Sequence, residues 1–159
     1  MRELSGKTAF ITGGAGGIGL GMARAFAAEG MRVALGDLSE ADLTQLPEGA
    51  AMSVRVDVTD LASVRAAVAA VTERFGAIDV VCANAGIGGG GGHVAADEYE
   101  VWNRVMRVNL DGVVHTVKST VPAMRERGAG GHVVITSSVA GVTALPFEFG
   151  AYTTSKFAV

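Results

Sequence analysis

The sequence predicts an α/β fold, a doubly wound parallel sheet with helices packed on both faces. Three observations predict it. Five short runs rich in β-branched and apolar residues alternate with longer segments whose apolar residues recur at helical spacing. The loops between them are short, which favours crossovers between parallel strands. A glycine-rich turn separates the first run from the first helical segment.

The elements follow in order. Residues 7–12 (KTAFIT) read as a buried strand. Residues 17–29 carry Ile18, Met22, Ala25 and Phe26 at helical spacing, with Gly30 as C-terminal cap. Residues 32–36 (RVALG) form a second strand ending at Asp37. Ser39 is a candidate N-cap for a short helix with Leu43 and Leu46, stopped near Pro47. Residues 53–56 (SVRV) form strand three, ending at Asp57. Thr59 or Asp60 caps a helix with Val64, Val68 and Val71 on one face. Residues 78–82 (IDVVC) form strand four, and a glycine-rich loop spans 86–92. A long helix covers about 96–127, with a break expected near its start. Residues 132–137 (HVVITS) form strand five. A loop with Pro146 then leads to a helix from about Ala151.

The chain has 159 residues, enough for one domain with a core. A net charge of −3 and no basic patch argue against nucleic acid or an anionic membrane as partner. No apolar run is long enough to span a bilayer, and the glycines and Glu3 near the start argue against a signal peptide. A cytoplasmic location is therefore expected. The single cysteine, Cys82, excludes an internal disulfide and reads as a buried inert thiol. The histidines at 93, 115 and 132 show no metal-ligand spacing, so no metal is expected.

The first turn reads TGGAGGIG from Thr12 to Gly19. Between a strand and a helix, such glycines let the backbone approach a pyrophosphate, and the helix N-terminus offers free N–H groups. Asp37, at the end of strand two, is placed to hold ribose hydroxyls and to repel a 2′-phosphate. Leu38 and Ser39 after it add no cation. The expected cofactor is NAD, with NADP less favoured.

A second constellation lies near the end of the sequence. Tyr152 and Lys156 are i and i+4 on a helix, hence on one face. Reducing a carbonyl needs a proton donor at its oxygen, and the reverse reaction needs a base. A free phenol is a poor base at neutral pH, with a pKa near ~10; a neighbouring ammonium favours the phenolate. Ser138, from the end of strand five, could orient a substrate oxygen. Any one such pair is common by chance.

Together these segments resemble the classical short-chain dehydrogenase/reductase family and its Rossmann-type fold. The resemblance rests on Thr12-Gly13-x-x-x-Gly17-Ile18-Gly19, Asp57-Val58, Asn84-Ala85-Gly86, Asn109, Ser138 and Tyr152-x-x-x-Lys156, in the family's order across almost the whole chain. It implies an oxidoreductase that interconverts a secondary alcohol and a ketone by hydride transfer. Gly13, Gly17, Ile18 and Gly19 would cradle the pyrophosphate. Asp37 and Leu38 would flank the adenosine, Asp57 would meet the adenine amino group, and the Val58 N–H would support the ring. Asn84 and Gly86 would line the ribose side, or Asn84 would mainly brace the sheet. Tyr152 would be the acid/base and would also contact the cofactor. Lys156 would stabilise its phenolate and grip the nicotinamide ribose. Ser138 would orient the carbonyl, with Ser137 the less favoured serine. Asn109 would kink the long helix and join the proton relay; an asparagine inside a helix is otherwise unfavourable.

Two departures stand out. Ala83 replaces an asparagine common in the family, and the segment between Ser138 and Tyr152, with Phe147 and Phe149, is one residue longer than usual. The family continues beyond this point with a further strand and a substrate loop. The chain is therefore expected to be an N-terminal portion, one nucleotide-binding domain over 1–159, with strand five as an exposed edge. The parent is expected to be a homodimer or homotetramer acting on a small alcohol or ketone. The alternative is a nucleotide-binding fragment or regulatory module without turnover.

Overall fold

The structure, a computed structural model, describes residues 3–89, 98–143 and 150–159. Strands β1 (Thr8–Thr12), β2 (Arg32–Asp37), β3 (Ala51–Arg55), β4 (Val80–Ala83) and β5 (His132–Ile135) form one parallel sheet. Its order is β3-β2-β1-β4-β5, so the chain winds outward in both directions from β1. That is the doubly wound, Rossmann-like arrangement expected. Helix α1 (Gly17–Ala28) links β1 to β2, and α2 (Leu61–Phe75) links β3 to β4. Helices α3 (Tyr99–Met106) and α4 (Gly112–Arg127) lie between β4 and β5, and α5 (Gly150–Ala158) follows.

Strand alternation explains the two cores. Ala9, Ile11, Val33, Leu35 and Cys82 pack with Ala23 and Ala27 of α1 on one face. Phe10, Ala34 and Val81 pack with Val64, Val71 and Phe75 of α2 and Met124 of α4 on the other. Because both faces are covered, β1 is buried at every residue, and the strand reads as a continuous apolar run. β5 behaves differently: it pairs only with β4 in the described sheet, and Val133, Val134 and Ile135 are exposed.

Several boundaries differ from the sequence reading. No helix forms over 39–46. Its backbone is claimed instead by local side chains: Asp37 accepts from the Ser39 N–H at 3.2 Å, Ser53 from Ala41 at 2.9 Å, and Asp42 from Thr44 at 2.9 Å. Short oxygen-bearing side chains offer the backbone this alternative to a helix. β3 begins two residues earlier than expected, while β4 begins later and β5 ends earlier. The cap of α2 resolves to Asp60, whose carboxylate accepts from the Ala62 N–H at 2.9 Å. Gly30, at φ +77°, follows the last residue of α1 as expected of a terminating glycine.

The long helix is interrupted, but not near the start of its described part. Between α3 and α4, Arg107–Asp111 form a π-helical turn. Such a turn inserts one extra residue into the helix and recurs at functional sites. Asn109 lies within it, fully buried. Residues 90–97, including His93 and most of the glycine run, fall outside the described residues, as do Pro146, Phe147 and Phe149.

Candidate active site

In a doubly wound sheet, the crevice for a ligand opens at the carboxyl ends of the strands where the order reverses. Here that place lies between β1 and β4. A cleft of about 550 Å³ is found there, lined by Gly13, Gly16, Gly17, Ile18, Asp37, Asn84, Gly86, Thr136, Ser137, Tyr152 and Lys156 among others.

The glycine turn forms the floor. Gly13 has φ +67°, and a Cβ on it would stand 2.8 Å from the Ala85 Cα. A Cβ on Gly19 would overlap the Gly13 carbonyl. These two glycines let α1 start directly against β1 and β4. Gly17 also needs its positive φ of +51°. Gly16 supplies no side-chain cap to α1, so first-turn N–H groups remain available at the cleft.

The far end of this region is a smaller cavity of about 150 Å³, walled by Asp37, Leu38, Asp57, Val58, Gly86 and Val108 among others. Asp37 is oriented by two backbone donors: Ala15 N–H to Oδ2 at 3.1 Å and Ser39 N–H to Oδ1 at 3.2 Å. Asp57 Oδ1 accepts from the Thr59 hydroxyl at 2.8 Å and the Thr59 N–H at 2.9 Å. Those bonds hold its carboxyl below the usual range.

Asn84 mainly braces strands. Its Nδ2 donates to the Thr12 and Gly13 carbonyls at 3.0 and 3.3 Å, and its Oδ1 accepts from the Thr136 hydroxyl at 3.0 Å. Thr12 completes the brace, its hydroxyl accepting from the Asn84 and Ala85 N–H groups.

At the opposite end stand Tyr152 and Lys156 on α5. The Lys156 ammonium donates to the Thr136 carbonyl at 2.8 Å and lies 5.7 Å from the Tyr152 ring centroid. Lys156 is only 5% exposed, and burial pushes its pKa down. Gly86 lacks the side chain that would crowd this corner: a Cβ there would be 3.3 Å from Asn109 Oδ1 and 3.5 Å from Lys156 Nζ. Asn109 sits behind the wall. Its Oδ1 accepts from the Ile87 N–H at 2.8 Å, and its Nδ2 donates to the Ile87 carbonyl and to Ser155 Oγ, both at 2.9 Å.

The serine pair divides its work. Ser137 lines the cleft, but its hydroxyl donates to the Lys156 carbonyl at 2.8 Å and so pins α5. Ser138 lies beyond β5 rather than at its end. It caps a short 3-10 turn over Val139–Gly141, accepting from the Ala140 N–H at 3.2 Å, and is not among the lining residues. The structure thus gathers the glycine turn, Asp37, Gly86, Tyr152 and Lys156 around one cleft, with Leu38, Asp57 and Val58 at its far cavity. It leaves Ser138 at the margin.

Sequence reasoning missed Thr136, Ile87 and Ser155 as site-building residues. Ile87 acts through its backbone and Thr136 meets Lys156 through its carbonyl, groups that carry no residue-type signal, while the Thr136 hydroxyl joins the Asn84 brace. Ser155 stands inside the Tyr–Lys spacing, where a hydroxyl is unremarkable. Among the described residues no group of three or more His, Cys, Asp or Glu could hold a metal, and no helix is long and apolar enough to cross a membrane.

A reversed-order parallel sheet with a glycine turn and a Tyr–Lys pair at one cleft defines a Rossmann-type α/β architecture. The sequence pattern of the short chain dehydrogenases matches residues 7–159, and the chain belongs to that family. Galactitol 2-dehydrogenase of Agrobacterium fabrum is 42% identical over 142 residues, covering 87% of this chain and 55% of that enzyme. The crystal structure of a short chain dehydrogenase/reductase from Burkholderia phymatum in complex with NAD aligns with a TM-score of 0.89 at 34% identity, covering 99% of this chain and 58% of that one. The 3-ketoacyl-(acyl-carrier-protein) reductase from Brucella melitensis, complexed with NADH, gives 0.90 at 31%, covering 98% and 66%. The chain therefore spans less than two thirds of the length of each of these three relatives.

Proposed function

We propose that these residues belong to an NAD-dependent oxidoreductase that interconverts a secondary alcohol and a ketone, with Tyr152 as acid/base. One observation carries this reading: a single cleft has the glycine turn and Asp37 at one end and the Tyr152–Lys156 pair at the other.

The residues present fit a dinucleotide. The uncapped N-terminus of α1 suits a pyrophosphate. The 150 Å³ cavity beside Asp57 and Val58 suits an adenine ring. The Asp37 carboxylate, held by two N–H donors, suits ribose hydroxyls and disfavours a 2′-phosphate. Two solved relatives bound to NAD or NADH support the same choice.

When bound, the oxidised nicotinamide supplies a hydride acceptor. This chain's residues handle the proton. In oxidation the Tyr152 phenolate takes the proton of the substrate hydroxyl as the carbon gives up its hydride, leaving a ketone and a neutral phenol. Reduction runs the same transfers backwards. The Lys156 ammonium, close to the ring, stabilises the phenolate. Burial lowers its own pKa, so it gives up its proton more readily than a free lysine. Asn109 holds the Ile87 backbone and Ser155 beside this pair. Ser138, whose Oγ accepts from the Ala140 N–H, is the hydroxyl proposed to orient the substrate oxygen.

Calorimetric titration with NAD and with NADP tests the reading. Tighter binding of NAD is the expected result; binding of neither nucleotide would sink it.

A further inference from the structure

The turn that would receive the adenine is held from behind by a side chain on α4. In the turn 57–60, three N–H groups have protein acceptors. Asp57 donates to Ser63 Oγ at 3.0 Å, Thr59 to Asp57 Oδ1 at 2.9 Å, and Asp60 to the Asp57 carbonyl at 3.1 Å. The Val58 N–H has none among the described residues. Val58 and Asp57 both line the 150 Å³ cavity.

The long helix meets this turn at three points. Val108, in the π-helical turn, lines the same cavity. Gly112 opens α4 without a side chain, and a Cβ there would come within 2.8 Å of Val58 Cγ2. His115, one turn further, places its Nδ1 2.9 Å from the Val58 carbonyl. A carbonyl only accepts, so Nδ1 carries the proton and the ring donates. That bond fixes the peptide unit following Val58, while Asp57 and Ser63 fix the unit preceding Asp57. Val58 is held on both sides, and its free N–H keeps its place at the cavity.

We propose that His115 is a positioning residue for the adenine end of the nucleotide site. It touches no part of the cleft itself and acts through Val58. This rests on the nucleotide reading above. His115→Ala removes the bond to the Val58 carbonyl, leaves the Thr59 N–H to Asp57 Oδ1 bond as the remaining tie on that peptide unit, and weakens binding of an adenine nucleotide. His115→Asn returns an N–H donor near the Nδ1 position.

The test is calorimetry with AMP and with NAD on the 159-residue chain, alongside thermal melts. Loss of one hydrogen bond behind the site predicts about fivefold weaker AMP binding in His115→Ala. Binding recovers in His115→Asn. Val113→Ala, a buried truncation two residues away on α4, serves as the stability control. It is expected to lower the melting temperature without changing AMP affinity. AMP binding in His115→Ala equal to that of the unaltered chain, no recovery in His115→Asn, or equal weakening in Val113→Ala overturns the proposal. Failure of the unaltered chain to bind any adenine nucleotide overturns the nucleotide reading, and this inference with it.

Discussion

Asn109 on the π-helical turn and Ser155 on α5 are joined by a 2.9 Å hydrogen bond from carboxamide to hydroxyl. Ser155 passes the connection on, donating to the Tyr152 carbonyl at 2.7 Å. Both N–H donors of the buried carboxamide are used, and Oδ1 accepts from the Ile87 N–H, so both backbone groups of Ile87 are held as well. One asparagine thus ties the loop after β4 to the helix that carries Tyr152 and Lys156.

The two halves of that tie predict unequal losses. Ser155→Ala removes one donor–acceptor link and is expected to cost about 1 kcal/mol. Asn109→Ala strands the Ile87 N–H and carbonyl and opens a hole, so a loss of roughly 2–4 kcal/mol is expected. Urea unfolding of both variants measures this. Equal losses would mean that the Ile87 bonds contribute little.

Tyr152→Phe keeps the ring beside Lys156 and deletes the exchangeable proton. Turnover by the whole enzyme is predicted to fall by about 10²–10⁴-fold, the usual worth of a positioned acid/base. NAD affinity is expected to fall far less than turnover, since the proposed contacts at the glycine turn and Asp37 are untouched. Steady-state rates and calorimetry on the same preparation separate the two effects. A variant with normal turnover removes Tyr152 from the chemistry.

The sheet was readable from sequence because β1, β2 and β4 are buried on both faces and show as unbroken apolar runs. The glycine turn was readable because Gly13 and Gly19 answer to backbone contacts that no other residue satisfies. The failed helix over 39–46 shows the limit. Leu43 and Leu46 have helical spacing, yet Asp37, Asp42 and Ser53 capture the backbone first. The π-helical turn was readable only in part: the family resemblance placed a kink at Asn109, where the helix is indeed interrupted, but nothing in the spacing of VNLDG announces an extra residue per turn. The Thr136 carbonyl under Lys156 could not be found from residue types at all.

Asp37 sets a prediction about nucleotide choice. Asp37→Ser removes the charge proposed to face the ribose while leaving a short polar side chain near the Ala15 and Ser39 N–H groups. The ratio of NADP to NAD affinity is expected to rise at least tenfold, about 1.4 kcal/mol. Competitive titrations of the two nucleotides read that ratio. An unchanged ratio would assign the selection to another residue.

Cys82 offers an internal check on the sheet. It lies in β4, 0% exposed, and burial pushes its thiol up to about 11. Thiolate is the reactive form, so the folded chain should resist a thiol reagent at pH 8 and the urea-unfolded chain should react at once. Mass spectrometry counts the label. Rapid labelling without denaturant contradicts a closed β1–β4–β5 arrangement.

Lys156 predicts a pH dependence whose sign follows from its burial. The folded chain holds the ammonium proton less tightly than the unfolded chain, whose lysine titrates near ~10.4. The unfolded state therefore binds more protons between those two values, and this group's contribution to stability rises with pH there. The cost of the buried charge is present in full below the folded pKa and gone above the unfolded one. Lys156→Met carries no such cost, and the Thr136 carbonyl that it leaves unpaired is a constant penalty at every pH. The melting temperature of the unaltered chain relative to Lys156→Met should accordingly climb between pH 7 and pH 10. Thermal melts of both proteins across that range decide the matter: a constant difference means that the ammonium is as well solvated in the fold as outside it, and a falling one means that the Thr136 carbonyl and the Tyr152 ring outweigh its burial.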